Sequence, residues 1–148
     1  MAWADAKARI VAVLETLAIT TPDAQTIKKV YPNPPGTIGD VPCVIVYPPA
    51  RGVDRANSIR AKHYTVRLRL LLRDADLSQA SALVDAYGEA IIDLFDGELT
   101  LSTTATAIEG PVVEEAADFE YPLGSGKHYT GFDVLLTVHI EEGKAFSG

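Results

Sequence analysis

The fold is decided by the stretch Lys62-His63-Tyr64-Thr65-Val66-Arg67-Leu68-Arg69-Leu70-Leu71-Leu72-Arg73. Its apolar side chains recur at every second residue, which is typical of a β-strand with one buried face. A second alternating stretch runs from Tyr129 to Glu141, with Phe132, Val134, Leu136, Val138 and Ile140 on one face. The polar face of the first stretch carries cations and that of the second carries acids. Antiparallel pairing of the two strands would therefore give complementary cross-strand pairs.

Two helices are predicted around these strands. Residues 3–18 repeat apolar side chains at spacings of three and four, which indicates an amphipathic helix. Residues 77–96 show the same period, with Asp76 and Gln79 as a capping box and Gly97 as the stop. The order of helix, strands, helix and strands predicts one α+β domain over residues 1–148. We expect both helices to lie on one face of a mainly antiparallel sheet.

Shorter strands and loops complete the predicted domain. Residues 26–31 form a short strand candidate, and residues 41–47 form an apolar run typical of a strand buried on both faces. One or two further strands are expected between residues 99 and 121. Long loops are predicted at about 49–61 and 117–128. A frayed tail is predicted at 142–148.

Composition excludes several classes of function. The chain has 148 residues and a single cysteine, Cys43, so it contains neither an internal disulfide nor a cysteine zinc site. Cys43 lies in an apolar run and is expected to be buried and inert. No apolar run reaches the 18–20 or so residues needed to cross a bilayer, and charged residues interrupt the N-terminal segment. We therefore expect no membrane association and a cytosolic product.

No catalytic or cofactor motif is present in the sequence. Gly124-Ser125-Gly126-Lys127 resembles part of a phosphate-binding loop, but Tyr121 and His128 replace the required Gly and Ser/Thr, so an ordinary turn is expected. The histidines at 63, 128 and 139 lack metal-ligand spacing. An enzyme would require His63, His128 and Asp133 to converge in one cleft. The sequence thus predicts no catalytic residue, no cofactor and no metal.

Charge is distributed unevenly along the chain, whose net charge is −7. Residues 1–74 hold eleven Lys/Arg and six Asp/Glu, whereas residues 75–148 hold two and fourteen. This layout favours head-to-tail contact between copies, although neutralisation within one subunit is the alternative. The candidate interface residues combine a basic segment with an acidic run. They are Arg51, Arg55, Arg60, Lys62, Glu114, Glu115, Asp118 and Glu120.

The order of elements resembles the tail terminator family of long-tailed bacteriophages, the tail-completion proteins that include the minor tail protein U type. The resemblance covers nearly the whole chain. It depends on the opening helix to Leu17, the strand Lys28–Tyr31 with its proline-rich exit, and the strand 41–47. It continues through the strand 64–72, the helix 77–95 and the strand 132–140.

This resemblance implies a structural virion protein and not an enzyme. It implies a homohexameric ring that caps the tail-tube protein and joins it to the head or neck connector, assembled in the host cytoplasm. Genome DNA would only pass through the lumen, and an anionic lumen would repel its phosphates. Two alternatives stay open: another head–tail neck component, or a small-ligand regulatory module with a pocket between helix 77–96 and the sheet.

Overall fold

A computed structural model describes residues 3–17, 27, 29–39, 41–56, 59–72, 77–98 and 107–143. Two helices and seven strands form within these ranges. In chain order the elements are α1 (Trp3–Glu15), β1 (Lys29–Tyr31), β2 (Cys43–Val46), β3 (Ala50–Ala56), β4 (Ile59–Leu72), α2 (Leu77–Asp96), β5 (Ala107–Val113), β6 (Ala117–Glu120) and β7 (His128–Gly143). The predicted helix 77–96 is therefore confirmed at both ends, while its proposed cap, Asp76, lies outside the described residues.

All seven strands belong to one sheet, with the order β1-β2-β4-β7-β5. Strand β3 pairs with β4, and β6 pairs with β7. Only β1 and β2 run parallel, and every other pair is antiparallel. The predicted α+β class with a mainly antiparallel sheet is thus confirmed.

The centre of the sheet is a long antiparallel ribbon formed by β4 and β7. Its pairing runs from Ile59 opposite Gly143 to Leu72 opposite Thr130. At about 3.4 Å per residue the ribbon is roughly 45 Å long. Arg69 lies opposite Asp133 in this register, so the expected pairing of a cation with an acid across the strands is confirmed here.

The main core lies between the two helices and one face of the sheet. The alternating apolar residues of β4 and β7 are buried there, as the period of two predicts. From α2, Tyr87, Ile91 and Phe95 are at most 1% exposed and fill the space above the sheet. Beside this packing, an open cleft of about 330 Å³ lies between α2 and residues 115–116, where the small-ligand alternative expected a pocket. The guanidinium of Arg9 on α1 also binds Glu98 just beyond α2, which fixes the helices together.

A second, smaller core covers part of the opposite face of the sheet. It contains Cys43, Ile45, Leu71 and Tyr121. The Tyr121 hydroxyl donates a hydrogen bond to the carbonyl of Pro35, which holds the proline-rich segment against this face. Burial is the main reason that the pKa of Tyr121 is raised. These contacts explain why β2 is buried on both faces, and Cys43 is fully buried as predicted.

The predicted long loop at 49–61 is wrong, and the loop predicted at 117–128 is shorter than expected. Residues 50–56 and 59–61 belong to a β-hairpin, because β3 pairs with β4 from Ala50–Thr65 to Ala56–Ile59. Residues 117–128 contain β6, which pairs with the start of β7 and leaves a turn at 121–127. The frayed tail predicted at 142–148 is wrong at its first two residues, because β7 extends to Gly143, and residues 144–148 lie outside the described residues.

Replacing Gly131 with alanine is expected to destabilise the fold by about 2 kcal/mol, as overpacking a close contact does. A Cβ at Gly131 would lie 1.9 Å from the Leu70 carbonyl oxygen, so β4 and β7 would have to separate locally. Urea denaturation followed by circular dichroism measures the loss. Gly36→Ala is the matched control, because a Cβ there meets nothing within 4 Å. Equal stability of the two variants would contradict the ribbon geometry.

Candidate assembly interface

The four candidate cations lie on one face of the β3–β4 hairpin. The register places Arg51 opposite Tyr64, Arg55 opposite Arg60, and Lys62 opposite Val53 between them. Residues paired directly across antiparallel strands point to the same side, and alternate residues of one strand share that side. The hairpin therefore brings together cations that the sequence suggested only as members of one basic segment.

An exposed valine forms the centre of this surface. Val53 is 46% exposed, whereas the cations surround it along both strands. Arg51 lies over the ring of Tyr64 at 5.7 Å, and Trp3 stacks on the same ring at 4.9 Å. We call Arg51, Val53, Arg55, Arg60 and Lys62 the hairpin face. An apolar centre within a charged rim is the usual anatomy of a protein–protein contact.

Two cations of the hairpin face, Arg51 and Arg55, are exposed on β3. Neither Arg51 nor Arg55 has an acid within 4.0 Å among the side chains that the structure describes. Arg55 and Arg60 are directly opposite each other, an arrangement of like charges that destabilises a strand pair. Contact with an acidic surface would relieve this repulsion.

The predicted acidic run lies beside the part of the β4–β7 ribbon that extends from Arg67 to Leu72, away from the hairpin face. Leu72 is about 33 Å along β4 from Lys62. It pairs with Thr130 of β7, and Thr130 pairs on its other side with Asp118 of β6. Three of the four acids there have local partners. Glu114 binds Arg67 at 2.7 Å and Asp118 binds His128 at 2.8 Å. Glu120 accepts two backbone hydrogen bonds, and Glu115 is exposed beside a cleft. The acidic run does not neutralise the hairpin face.

A stronger acidic surface, which sequence analysis missed, runs along α2. Asp85, Glu89, Asp93 and Asp96 are all exposed, and α2 contains no Lys or Arg. None of the four has a cation within 4.0 Å in the described part of the chain. We call these four residues the helix stripe. Their spacing of three and four residues, visible in the sequence, is the signal that could have identified it.

The polar face of the sheet holds one buried ionic cluster. Asp133 is 4% exposed and accepts hydrogen bonds from Arg69 at 2.8 and 2.9 Å and from Arg67 at 2.6 Å. These hydrogen bonds are the largest cause of the raised pKa of both guanidinium groups. The Arg69 guanidinium also stacks on Phe119 at 3.9 Å. The cluster is internally satisfied and fixes β6 and β7 against β4.

The fragment Gly124-Ser125-Gly126-Lys127 forms a turn, as predicted. Gly124 and Gly126 have φ angles of 85° and 78°, a region that glycine reaches without strain. Their N–H groups donate to the Glu120 carboxylate at 2.9 and 3.1 Å. A side-chain carboxylate thus occupies the position where a phosphate loop would hold its ligand. The turn presents Leu123, which is 91% exposed.

This turn should keep its order in moderately acidic solution. Hydrogen bonds from Gly124 and Gly126 lower the pKa of Glu120 below its ordinary value of 4.5. The carboxylate therefore stays largely charged at pH 4.5 and above, and the two hydrogen bonds are lost as pH falls through its lowered pKa. Amide hydrogen exchange by NMR at pH 5 should show protected Gly124 and Gly126, and Glu120→Ala should abolish that protection. Rapid exchange of both amides in the unmodified protein would contradict the contact.

The histidines do not form a common site. His128 and His139 are on the same strand, eleven residues and about 36 Å apart. His63 lies near His139, with ring centroids 6.2 Å apart. The convergence of His63, His128 and Asp133 that an enzyme would require does not occur. Within the described ranges, no three His, Cys, Asp or Glu side chains are grouped to hold a metal ion.

Comparison with protein-family models and with curated proteins finds no match to this chain. Neither helix in the described part of the chain has the length and apolar character needed to cross a membrane. The interpretation of the two charged surfaces therefore depends on their own geometry and chemistry.

Proposed function

We propose that this protein is a structural virion protein, a ring-forming tail terminator that caps the phage tail tube and joins it to the neck. One observation carries the proposal. A single subunit presents a cationic hairpin face and an anionic helix stripe, and Arg51, Arg55 and the four acids of the stripe have no oppositely charged group within 4.0 Å among the described side chains. Two different, complementary surfaces on one chain favour a heterologous contact, in which each copy binds the next.

A heterologous contact produces a ring when the rotation between copies closes, and a filament when it does not. A ring suits the proposed role, because it can match the circumference of a tube and leave a central channel for genome DNA. The proposed partners are further copies of the chain, in a homohexamer, the tail-tube protein and the head or neck connector. The proposal assigns no catalytic step and no cofactor to the protein. It places the protein in the virion after assembly in the host cytoplasm.

The test is a tube-growth assay with the tail-tube protein from the same genome. Added at the start of polymerisation, this protein should stop elongation, so electron microscopy should show shorter tubes with a ring at one end. A terminator predicts binding to tube ends, whereas another neck component predicts binding to the head connector without any change in tube length. Unchanged tubes without end density would contradict the terminator role.

A further inference from the structure

We infer that the turn at residues 121–127 of one copy docks into an open cleft between β5 and β6 of a second copy. The inference rests on the proposed assembly of copies and adds a contact to it that uses neither the hairpin face nor the helix stripe. The turn and the cleft are different surfaces of one chain. The contact is therefore heterologous, as a ring requires.

The turn presents an apolar anchor in a fixed position. Leu123 is 91% exposed, although it is a large apolar side chain. The Ser125 amide donates to the Pro122 carbonyl at 3.0 Å, which closes a β-turn around Leu123. Gly124 follows Leu123 with a φ of 85°, as a type II turn requires at its third position. The Glu120 carboxylate holds the same turn by accepting hydrogen bonds from two of its amides, so little freedom is lost when Leu123 docks.

The cleft offers the matching surface. It has a volume of about 590 Å³ and adjoins the cleft beside α2, since Glu115 and Ala116 line both. Its apolar lining consists of Val113, Ala116, Ala117 and Phe119. Two of its acids, Glu114 and Asp133, bind Arg67. Glu115 has no cation within 4.0 Å among the described side chains.

Lys127 gives the turn the charge that the cleft lacks. It is exposed at the base of the turn, where its carbonyl accepts a hydrogen bond from the Tyr121 amide at 2.9 Å. Its ammonium group has no acid within 4.0 Å in the described part of the chain. Leucine on an apolar lining and Lys127 beside Glu115 make the two surfaces complementary, so a second copy is the occupant. The contact is smaller than the roughly 1,200 Å² of a stable interface, and it therefore supports the ring without forming it alone.

The first test removes the anchor. Leu123→Ala should weaken assembly by about tenfold or more in sedimentation velocity over a dilution series, because burial of the leucine is lost. The fold should be unchanged, since Leu123 is exposed, and circular dichroism checks it. Val112→Ala is the matched control. It shortens another exposed apolar side chain, which does not line the cleft, and should leave assembly intact.

The second test reverses the charge pair. Lys127→Glu alone should weaken assembly, because it places a like charge beside Glu115. Adding Glu115→Lys to the same chain should restore assembly, since the pair is then reversed. Failure of the second change to restore any assembly would contradict the pairing of Lys127 with Glu115.

The third test locates the contact. Leu123→Cys and Ala117→Cys are prepared as separate full-length chains, and oxidation of their mixture should give a covalent pair that neither variant forms alone. Cys43 is fully buried and does not compete. An assembled wild type combined with full assembly of Leu123→Ala, or with no covalent pair, would overturn this inference and leave the ring proposal standing. A wild type that never assembles would overturn both.

Discussion

Reversing two charges on the hairpin face, Arg51→Glu with Arg55→Glu, is expected to convert the assembled protein to monomers at low salt. Both arginines project from β3 beside the exposed Val53 and have no acidic partner among the described side chains. Reversal replaces attraction to an acidic surface with repulsion, which costs several kcal/mol when like charges face each other across an interface. Light scattering coupled to size-exclusion chromatography gives the mass directly.

Raising the salt concentration should also dissociate the assembled, unmodified protein. Contacts between exposed charges weaken as the Debye length falls from about 10 Å at 0.1 M to about 3 Å at 1 M salt.

The matched control for the charge reversal is Lys7→Glu with Lys29→Glu, which makes the same charge change on α1 and β1 and should keep the assembly. Unchanged assembly of the variant with both Arg51 and Arg55 reversed would contradict the interface. The two cations would then serve only to keep the edge strand β3 from pairing with strands of other chains, a common role of charge on edge strands.

The second large effect concerns stability. Asp133→Ala is expected to lower the free energy of unfolding by about 3 kcal/mol, the lower end of the range for breaking a buried ion pair. The substitution leaves Arg67 and Arg69 without the carboxylate that accepts three of their hydrogen bonds. The loss falls at the lower end because both arginines keep partial access to water. Urea denaturation measures it.

Glu114→Ala provides the comparison within the same cluster. Glu114 and Arg67 are 44% and 41% exposed, and exposed pairs of this kind contribute about 1 kcal/mol or less. A small effect at Glu114 and a large effect at Asp133 are therefore expected. Equal losses of unfolding free energy in the two variants would contradict the claim that the buried cluster around Asp133 is a main link between β4 and β7.

Local patterns in the sequence predicted the strongest elements well. The alternation in β4 and β7 and the apolar period of α2 are properties of consecutive residues, and burial in the structure follows both. Strand β3 escaped prediction because Arg51, Gly52, Asp54 and Arg55 have low strand propensity. It exists because β4 offers a partner seven residues long, and Gly52 leaves room for the ring of His63.

The charged residues of the candidate interface can be read from the sequence, but their arrangement in space cannot. The basic residues were identified, yet their common face depends on the register between β3 and β4. The contacts of the acidic run were not predictable, because the partners Arg67 and His128 come from other strands. The helix stripe was missed because exposed acids on a helix are typical of any solvated surface. Only the absence of nearby cations among the described side chains distinguishes these four acids.

Native mass spectrometry of the unmodified protein at low ionic strength tests the central claim most directly. The account predicts one dominant closed species, a hexamer, that breaks down to monomers as salt is raised before buffer exchange. A mass of one subunit, 15.9 kDa, at every protein and salt concentration would contradict it.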